Sequence, residues 1–353
     1  MALLKLPKSI TDRFSRDIGI DLGTANTLVY LKGKGVVLSE PSVVAVNTKT
    51  GQVVAVGAQA RDMLGRTPAH ISAVRPLVEG VVSDFEVTEE MLAYLLQKAQ
   101  PDKPPLGPRV VIGVPSGITS VEVRAVRDAA RNAGAREVYI IEEPVAAALG
   151  AKLPIKEPIG TMVVDIGGGT TDIALLALGG IVRSKNLRIA GDALNQDISA
   201  YIRSEFKILI GERTAEDVKI TVGSVLKPVT PLQTTIRGRD LVSGLPREIV
   251  ITDADVREAI AGSIQTILDA VKEVLETAPP EVVADVMRLG IYVTGGGALL
   301  RGLTVLMADE LKVPIHLIDD PLTTVVRGTG YVLEDLEAHR AMLLDDDDAR
   351  IQF

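Results

Sequence analysis

One short motif occurs twice in this chain. The pattern Asp-x-Gly-x-x-x-Thr begins at Asp21 and again at Asp165, 144 residues further along. Each copy follows one apolar stretch and precedes another, which indicates two strands joined by a glycine-containing turn. The interval is close to the length of an ordinary domain. The sequence therefore predicts two related lobes, each of which offers a β-hairpin turn to a shared cleft.

The rest of the chain alternates between apolar strands and helical patterns, which predicts an α/β architecture. A capping box at Thr119 and Glu122 predicts a helix that ends before Gly134. Apolar stretches on either side of residues 47–51 predict a hairpin. The other predicted helices cover residues 88–100, 192–209, 253–276, 298–311 and 328–341, with one more from Pro144; the main predicted strands cover 110–115, 138–141, 161–165, 172–178, 290–294 and 313–318.

The composition excludes several classes of protein. The 353 residues are 46% hydrophobic but only 3% aromatic, so the core must be aliphatic. A net charge of −8 without a Lys/Arg-rich run argues against nucleic-acid binding, which depends on neutralising phosphates. The absence of Cys excludes disulfides and thiolate metal sites and suits a reducing cytoplasm. No apolar run is long enough for a membrane-spanning helix, and the N-terminal one is too short for a signal peptide.

Both repeated motifs suit phosphate binding. Tight glycine turns expose successive backbone N–H groups, which form a concave site for anions. The residues predicted to line these two turns are Asp21, Gly23, Thr24, Ala25 and Asn26 in the first and Gly167, Gly168, Gly169 and Thr170 in the second. The alternative is that both segments are ordinary hairpin turns.

Asp21 and Asp165 each end an apolar strand, where a carboxylate needs a partner. Mg²⁺ binds through one or two carboxylates together with phosphates. The two residues are therefore predicted to organise Mg²⁺, unless each only caps its own turn.

Two further segments carry possible chemistry. Glu143 stands at a strand-to-helix junction, where it could orient or deprotonate an attacking water, or only stabilise the start of the helix. The loop Gly295, Gly296, Gly297 and Ala298 would let a flat base approach the backbone. It is not a dinucleotide fingerprint because Leu300 stands where a third glycine is required, and no Walker A sequence is present.

Taken in this order, the motifs resemble those of the actin-like ATPases over residues 17 to 330. Within that superfamily, four segments look specifically like the MreB family of bacterial actins: IGIDLGTANTLVYLKGKGVVLSEPSVVAV, IEEPVAAALGA, MVVDIGGGTTDIALLALGGIV and TGGGALLRGL. The resemblance implies two related lobes with a nucleotide cleft between them, each lobe carrying a small subdomain. The implied subdomains are IA (1–34, 77–152 and 330–353), IB (35–76), IIA (153–190 and 258–329) and IIB (191–257).

The resemblance also implies roles for individual residues. Thr24, Ala25 and Asn26 would hold phosphates, and Asp21 and Asp165 would organise Mg²⁺. Glu143 and Thr170 would position the attacking water. Residues 295–298 would contact adenosine, and Glu216 and Lys219 would contact ribose and base. Taken alone, the last pair, three residues apart, reads as a surface ion pair on a helix.

The function that the resemblance implies is ATP-driven assembly. Such proteins bind and weakly hydrolyse ATP, polymerise into paired filaments at the inner membrane face, and organise cell-wall synthesis and rod shape with cell-elongation membrane proteins. The expected location is therefore cytoplasmic and peripheral to the membrane. Residues 1–15, with Leu3, Leu6, Ile10 and Phe14 at helical spacing, form either an interfacial helix or a loose tail. A second way to bind the membrane, which some relatives use, is through an apolar loop of the first lobe. Here the corresponding loop, residues 100–107, has Leu106 as its one strongly hydrophobic residue, which weakens this possibility.

Other members of the superfamily remain as alternatives. A sugar- or acetate-type kinase would use Glu143 as a base towards an acceptor hydroxyl, but no acceptor-binding cluster is evident. A DnaK-type chaperone would carry a further substrate-binding domain, and a division or plasmid-segregation homologue would also form filaments. ATP-dependent pelleting favours an actin-like protein over a kinase.

Overall fold

The computed structural model describes residues 16–102 and 106–344. The predicted membrane segment 1–15 lies outside these residues, as does the middle of the loop 100–107. The chain divides into two compact units, one formed by Met1–Lys156 with Thr323–Phe353 and the other by Glu157–Leu322. No helix among the described residues is both long enough and apolar enough to cross a membrane.

The first unit is built on the predicted strand–turn–strand at its N-terminal end. Its strands are β1 (Ile18–Leu22), β2 (Asn26–Leu31), β3 (Gly35–Pro41), β4 (Val44–Asn47), β5 (Val53–Val56), β6 (Ile71–Val74), β7 (Leu77–Val78), β8 (Val81–Val82), β9 (Arg109–Val114) and β10 (Glu137–Glu142). Its first four helices are α1 (Ala58–Met63), α2 (Phe85–Ala99), α3 (Ser120–Asn132) and α4 (Glu143–Gly150).

Local sequence explains where these helices begin. The side chain of Asp84 accepts a hydrogen bond from the N–H of Val87 and so caps α2. The predicted capping box is present at α3, where Thr119 and Glu122 bond each other's backbone N–H. Pro144 lies in the first turn of α4, where its missing N–H costs nothing.

The main sheet of the first unit has the order β3–β2–β1–β9–β10. Strands β1, β2 and β3 are antiparallel, whereas β1, β9 and β10 are parallel. The core against it is aliphatic, as the composition requires, with Ile20, Leu92 and Ile112 fully buried. A separate three-stranded sheet, β5–β4–β6, carries the predicted hairpin and packs with α1 around its own small cluster.

The second unit contains the second motif. Its strands are β11 (Thr161–Ile166), β12 (Thr171–Ala177), β13 (Gly180–Leu187), β14 (Ile208–Leu209), β15 (Gln233–Asp240), β16 (Pro246–Thr252), β17 (Ile291–Thr294) and β18 (Ile315–Leu317). Its helices are α5 (Gly191–Phe206), α6 (Glu212–Val222), α7 (Asp253–Glu276), α8 (Pro280–Leu289) and α9 (Leu303–Leu311).

The second main sheet repeats the topology of the first. Its order is β13–β12–β11–β17–β18, with β11, β12 and β13 antiparallel and β11, β17 and β18 parallel. The second unit also has a small sheet, β14–β15–β16. The two motifs thus follow the central strand of two sheets with the same order and directions, which agrees with the predicted pair of related lobes.

A last helix, α10 (Thr324–Glu334), belongs to the first unit. It buries Val325, Val326, Val332 and Leu333, and its neighbours include α4, β1 and β9. The C-terminal part of the chain therefore completes the core of the N-terminal part. This helix spans the boundary predicted at residue 330 between two subdomains, and the subdomain boundaries stay predictions.

Three predicted helices were wrong in their bounds. The helix predicted over 192–209 ends at Phe206 because Lys207 adopts a left-handed conformation. Leu209 lies instead in β14, where it pairs with Arg239 of β15. The helix predicted over 298–311 is a short 3₁₀ turn followed by α9, because Gly302 is also left-handed. The helix predicted over 328–341 begins four residues earlier and ends at Glu334. Strand β13, the six-residue helix α1 and helix α8 were not predicted from the sequence.

Candidate functional site

The first turn, Gly23 to Ala25, joins β1 and β2 as predicted. A Cβ on Gly23 would lie 2.6 Å from the carbonyl oxygen of Asn26, so this position accepts only glycine without rearrangement. Thr24 is buried, and its Oγ1 accepts a hydrogen bond from the N–H of Gly80 at 2.9 Å. Because that bond occupies a lone pair, the hydroxyl proton of Thr24 is left to donate to another acceptor.

Gly80 lies on the tight turn between β7 and β8, which sequence reasoning did not connect with the site. Glu79 and Gly80 both have positive φ, at 51° and 78°, as a two-residue type I′ hairpin requires. The Gly80 N–H reaches Thr24 across 56 residues of chain. A local pattern does not signal such a contact.

A second missed residue, Ser42, holds the same turn. Its Oγ donates to the carbonyl oxygen of Gly23 at 2.6 Å and lies 2.8 Å from the Oγ1 of Thr27. Its backbone N–H donates to the carbonyl oxygen of Ala25 at 3.0 Å. Its one sequence signal is that a polar residue stands between Pro41 and the apolar run of residues 43–46.

Asp21 and Glu143 lie at the same edge of the first sheet. Asp21 pairs with Gly113 of β9, and Gly113 pairs with Ile141 of β10, two residues before Glu143. Gly113 lies beside Glu143, because a Cβ on Gly113 would be in ordinary van der Waals contact, at 3.5 Å, with Cγ of Glu143. With one strand between them, β1 and β10 are about 10 Å apart. The structure thus brings Asp21, the first turn and Glu143 together at the carboxyl ends of parallel strands.

The carboxyl of Asp21 is desolvated, which raises its pKa to about 7. A nearby cation reverses such a shift because it favours the charged form. Among the described residues no three His, Asp or Glu side chains cluster as a ready-made metal cage.

The second turn, Gly167 to Thr170, joins β11 and β12. It is closed by a bond from the N–H of Gly167 to the carbonyl oxygen of Thr170 at 2.9 Å. The first N–H groups of α5 hold it from outside, since Gly191 and Asp192 donate to the carbonyl oxygens of Gly167 and Gly168. Because two of its carbonyl groups bond to α5 and a third closes the turn itself, the shape of the turn is set before any ligand binds.

The loop 295–298 lies directly against Asp165. Thr294, which precedes the loop, pairs with Asp165 in the sheet. Gly295 has a φ of 83°, and a Cβ there would lie 2.4 Å from Oδ1 of Asp165. A Cβ on Gly297 would lie 2.3 Å from Cγ2 of Ile166. Both glycines therefore permit a contact between the backbone of this loop and the end of β11.

Glu216 and Lys219 lie on α6 and form an ion pair of 2.8 Å, as the alternative reading required. The pair is nevertheless not an ordinary surface pair. The side chain of Lys219 is only 13% exposed, and its Nζ also donates to the carbonyl oxygen of Gly191 at 2.9 Å. Buried Asn195 donates to the same carboxylate oxygen of Glu216 at 2.5 Å. The pair is thereby held beside the start of α5, which contacts the second turn.

The predicted residues thus fall into two groups, one in each unit. The first contains Asp21, Gly23, Thr24, Ala25, Asn26 and Glu143; the second contains Asp165, Gly167, Gly168, Gly169, Thr170, Glu216, Lys219, Gly295, Gly296, Gly297 and Ala298. Within each group the turn lies beside the other predicted residues. Their roles towards a nucleotide stay predictions.

Comparisons with known proteins identify the family. The sequence model of the MreB/Mbl protein family matches residues 15–341. The cell shape-determining protein Mbl of Bacillus subtilis (strain 168) is 51% identical over 324 residues, which cover 92% of this chain and 97% of the relative. The cell shape-determining protein MreB of Escherichia coli (strain K12) is 45% identical over 347 residues, which cover 96% and 99%.

Solved structures agree with the sequence relatives. MreB5 of Spiroplasma citri, bound to ADP, has a TM-score of 0.88 and 41% identity, with 93% of this chain and 98% of that chain covered; a structure bound to AMPPNP gives the same values. The MamK double helical filament has a TM-score of 0.79 and 25% identity, with 91% and 99% covered. The predicted family and actin-like α/β fold are confirmed: this chain belongs to the MreB/Mbl family.

Proposed function

We propose that this chain binds and slowly hydrolyses ATP, polymerises into filaments and helps to determine cell shape. Its relatives from B. subtilis and E. coli are named cell shape-determining proteins. The relatives with solved structures bind ADP or AMPPNP or form a double helical filament. Family membership also argues against the sugar- or acetate-type kinase that the motifs alone had left open.

The observation that carries the proposal is the pair of glycine turns at equivalent positions of two sheets. Each follows a central strand whose second-last residue is an aspartate. Turns of this kind bind phosphate oxygens through backbone N–H groups. We assign ATP phosphates to Gly23, Thr24, Ala25 and Asn26 and to Gly167, Gly168, Gly169 and Thr170.

The remaining residues supply the rest of the site. Glu216 and Lys219 contact the ribose and base, and Gly295 to Ala298 contact the adenosine. Asp21 and Asp165 hold the Mg²⁺, which neutralises phosphate charge when bound. Glu143 orients a water towards the terminal phosphate and accepts its proton, and Thr170 helps to position that water.

The location and the partners are proposed on the same family grounds. Residues 1–15 bind the inner membrane face through the apolar residues Leu3, Leu6, Ile10 and Phe14, while the basic residues between them approach anionic headgroups. The protein is then cytoplasmic and peripheral to the membrane. Its partners are further copies of itself, in paired filaments, and the membrane proteins of cell elongation.

Assembly tests the proposal. The purified full chain is mixed with Mg²⁺ and ATP, and light scattering, pelleting and phosphate release are followed together, with ADP as the matched control. Pelleting with ATP and slow phosphate release are expected. Transfer of phosphate to a small-molecule acceptor without pelleting would establish the kinase instead. Anionic liposomes, added to the full chain and to a chain without residues 1–15, separate membrane binding from assembly.

A further inference from the structure

We propose that Ser42 is a positioning residue for the first phosphate-binding turn. Its hydroxyl and its backbone N–H hold two peptide groups of that turn, at Gly23 and at Ala25. The inference rests on the proposed function, since it assumes that the first turn, Gly23 to Ala25, together with Asn26 binds the phosphates of ATP.

The direction of the hydrogen bonds follows from their partners. A carbonyl oxygen only accepts, so the single proton of Ser42 goes to Gly23 at 2.6 Å. The short contact of 2.8 Å between Ser42 and Thr27 then requires Thr27 to donate. The result is a directed chain from the Thr27 hydroxyl through the Ser42 hydroxyl to the Gly23 carbonyl, in which each bond polarises the next.

The planar peptide bond carries this orientation into the turn. In a trans peptide the C=O and the following N–H point in opposite directions. Because the Gly23 carbonyl points at Ser42, the N–H of Thr24 points away from Ser42. The bond from the Ser42 N–H to the Ala25 carbonyl directs the N–H of Asn26 away from Ser42 in the same manner. Ser42 thus orients two backbone donors, those of Thr24 and Asn26, and both belong to residues that we assign to phosphate.

Burial makes the arrangement hard to replace. Ser42 and Thr27 are both 0% exposed, so solvent cannot take over the bond to Gly23. Ser42 also follows Pro41, which pairs with Asn26 at the end of β3. The sheet therefore places Ser42 beside the turn before a ligand arrives, which is the preorganisation that strong anion binding requires.

The test compares affinities for ATP and for adenosine, which lacks phosphates, in the full chain with Mg²⁺. Ser42→Ala is expected to weaken ATP binding about tenfold, because a backbone N–H of the turn would no longer point correctly at a charged phosphate oxygen. The same variant should bind adenosine within about twofold of the wild-type affinity. The matched control is Thr27→Val, which disturbs the same buried pair but keeps the bond from Ser42 to Gly23. Thr27→Val is expected to lower Tm by about as much as Ser42→Ala does, while its ratio of ATP affinity to adenosine affinity stays at the wild-type value. Ser42→Thr retains the hydroxyl and is expected to restore the ratio.

Other outcomes overturn the inference in distinguishable ways. If Ser42→Ala and Thr27→Val change the ratio equally, or if neither changes it, Ser42 is only a structural residue. Should the alanine variant fail to fold, Ser42→Cys fills the same space with a weaker donor and must lower the ratio. If wild-type protein binds adenosine and ATP equally, the proposed function fails before this question arises.

Discussion

At the scale of single residues, the first group of the candidate site places polar side chains where their solvation is poor. Asp21 is the second-last residue of the buried strand β1, and Thr24, Thr27 and Ser42 are buried around the turn that follows. Desolvated polar groups cost free energy unless they are paired. Such groups are typical of functional sites, where a ligand or a cation replaces the interactions with water that burial removed.

Asp21 is expected to destabilise the ligand-free protein at neutral pH. Its pKa is raised from 3.8 to about 7, so the folded state holds the proton more tightly than the unfolded state. Its contribution to stability is therefore present below about pH 4 and is lost as the pH rises to about 7. Asp21→Asn removes this loss and should raise the free energy of unfolding at pH 8 by about 1–2 kcal/mol after discount for solvent screening.

Urea denaturation between pH 4 and 8, in EDTA and without nucleotide, measures this effect. The gain from Asp21→Asn should shrink towards pH 4. If Asp21→Asn raised the free energy of unfolding equally at pH 4 and pH 8, desolvation would not be destabilising the charged carboxylate. The same variant should bind Mg·ATP more weakly than wild type.

Glu143 is expected to act in hydrolysis and not in ATP binding. It lies at the carboxyl edge of the first sheet with Asp21, whereas Glu142 is the last residue of β10. Glu143→Gln should slow phosphate release by about 10²–10⁴-fold, as the loss of a general base does, with ATP affinity unchanged. Glu142→Gln is the matched control and should stay close to wild type. Normal turnover in the Glu143 variant would remove this residue from the mechanism.

At the scale of elements, the packing of α10 against α4 depends on close backbone contact. A Cβ on Gly328 would lie 1.8 Å from the carbonyl oxygen of Ala146, and one on Gly150 would lie 1.9 Å from that of Thr324. The two helices can approach this closely only because both positions lack side chains. The Ala-rich face of α4 and the glycines of α10 are thus parts of one interface.

Two glycines in helices are therefore expected to respond oppositely to alanine. Gly328→Ala should destabilise the protein by about 2–4 kcal/mol, because backbone must move to admit the methyl group. Gly262→Ala, at an exposed position of α7 where a Cβ would meet nothing within 4 Å, should stabilise it by about 0.5–1 kcal/mol through helix propensity. Thermal and urea unfolding of both variants give the comparison. A loss of stability in both would show that space at the Cβ is not the deciding factor.

At the scale of the whole molecule, the two units differ in how the chain builds them. Glu157–Leu322 is one continuous segment with its own core, whereas the first unit needs Thr323–Phe353 in addition to the N-terminal segment. The reason is α10, whose apolar residues are buried in the first unit. Elements that are far apart along the chain therefore belong to the same compact unit.

Fragments should reflect this difference. Residues 157–322 alone should fold cooperatively, whereas residues 1–156 alone should not, because they lack α10. Joining 1–156 to 323–353 through a short Gly/Ser linker in place of 157–322 should restore cooperative folding. Circular dichroism and the dispersion of amide NMR signals measure the three fragments. A well-folded 1–156 fragment would contradict the role given to α10.

The sequence alone determined the features that depend on neighbours in the chain. The two glycine turns, the capping box at Thr119, the helix Asp253–Glu276 and the aliphatic core all follow from local periodicity, caps and composition. The repeated motif was sufficient to predict two lobes of related topology. The errors at Leu209 and Gly302 arose where one left-handed residue ended a pattern that hydrophobicity continued.

Only the tertiary structure decided which distant residues meet. Four contacts of this kind join residues far apart in the chain: Ser42 with the Gly23 carbonyl, Gly80 with Thr24, Lys219 with the start of α5, and α10 with α4. The pKa of Asp21 belongs to this class too, because desolvation depends on everything packed around the carboxyl. The physical reason is that local conformation is set by each residue's own chemistry and its immediate neighbours, whereas burial and hydrogen-bond partners are properties of the assembled core.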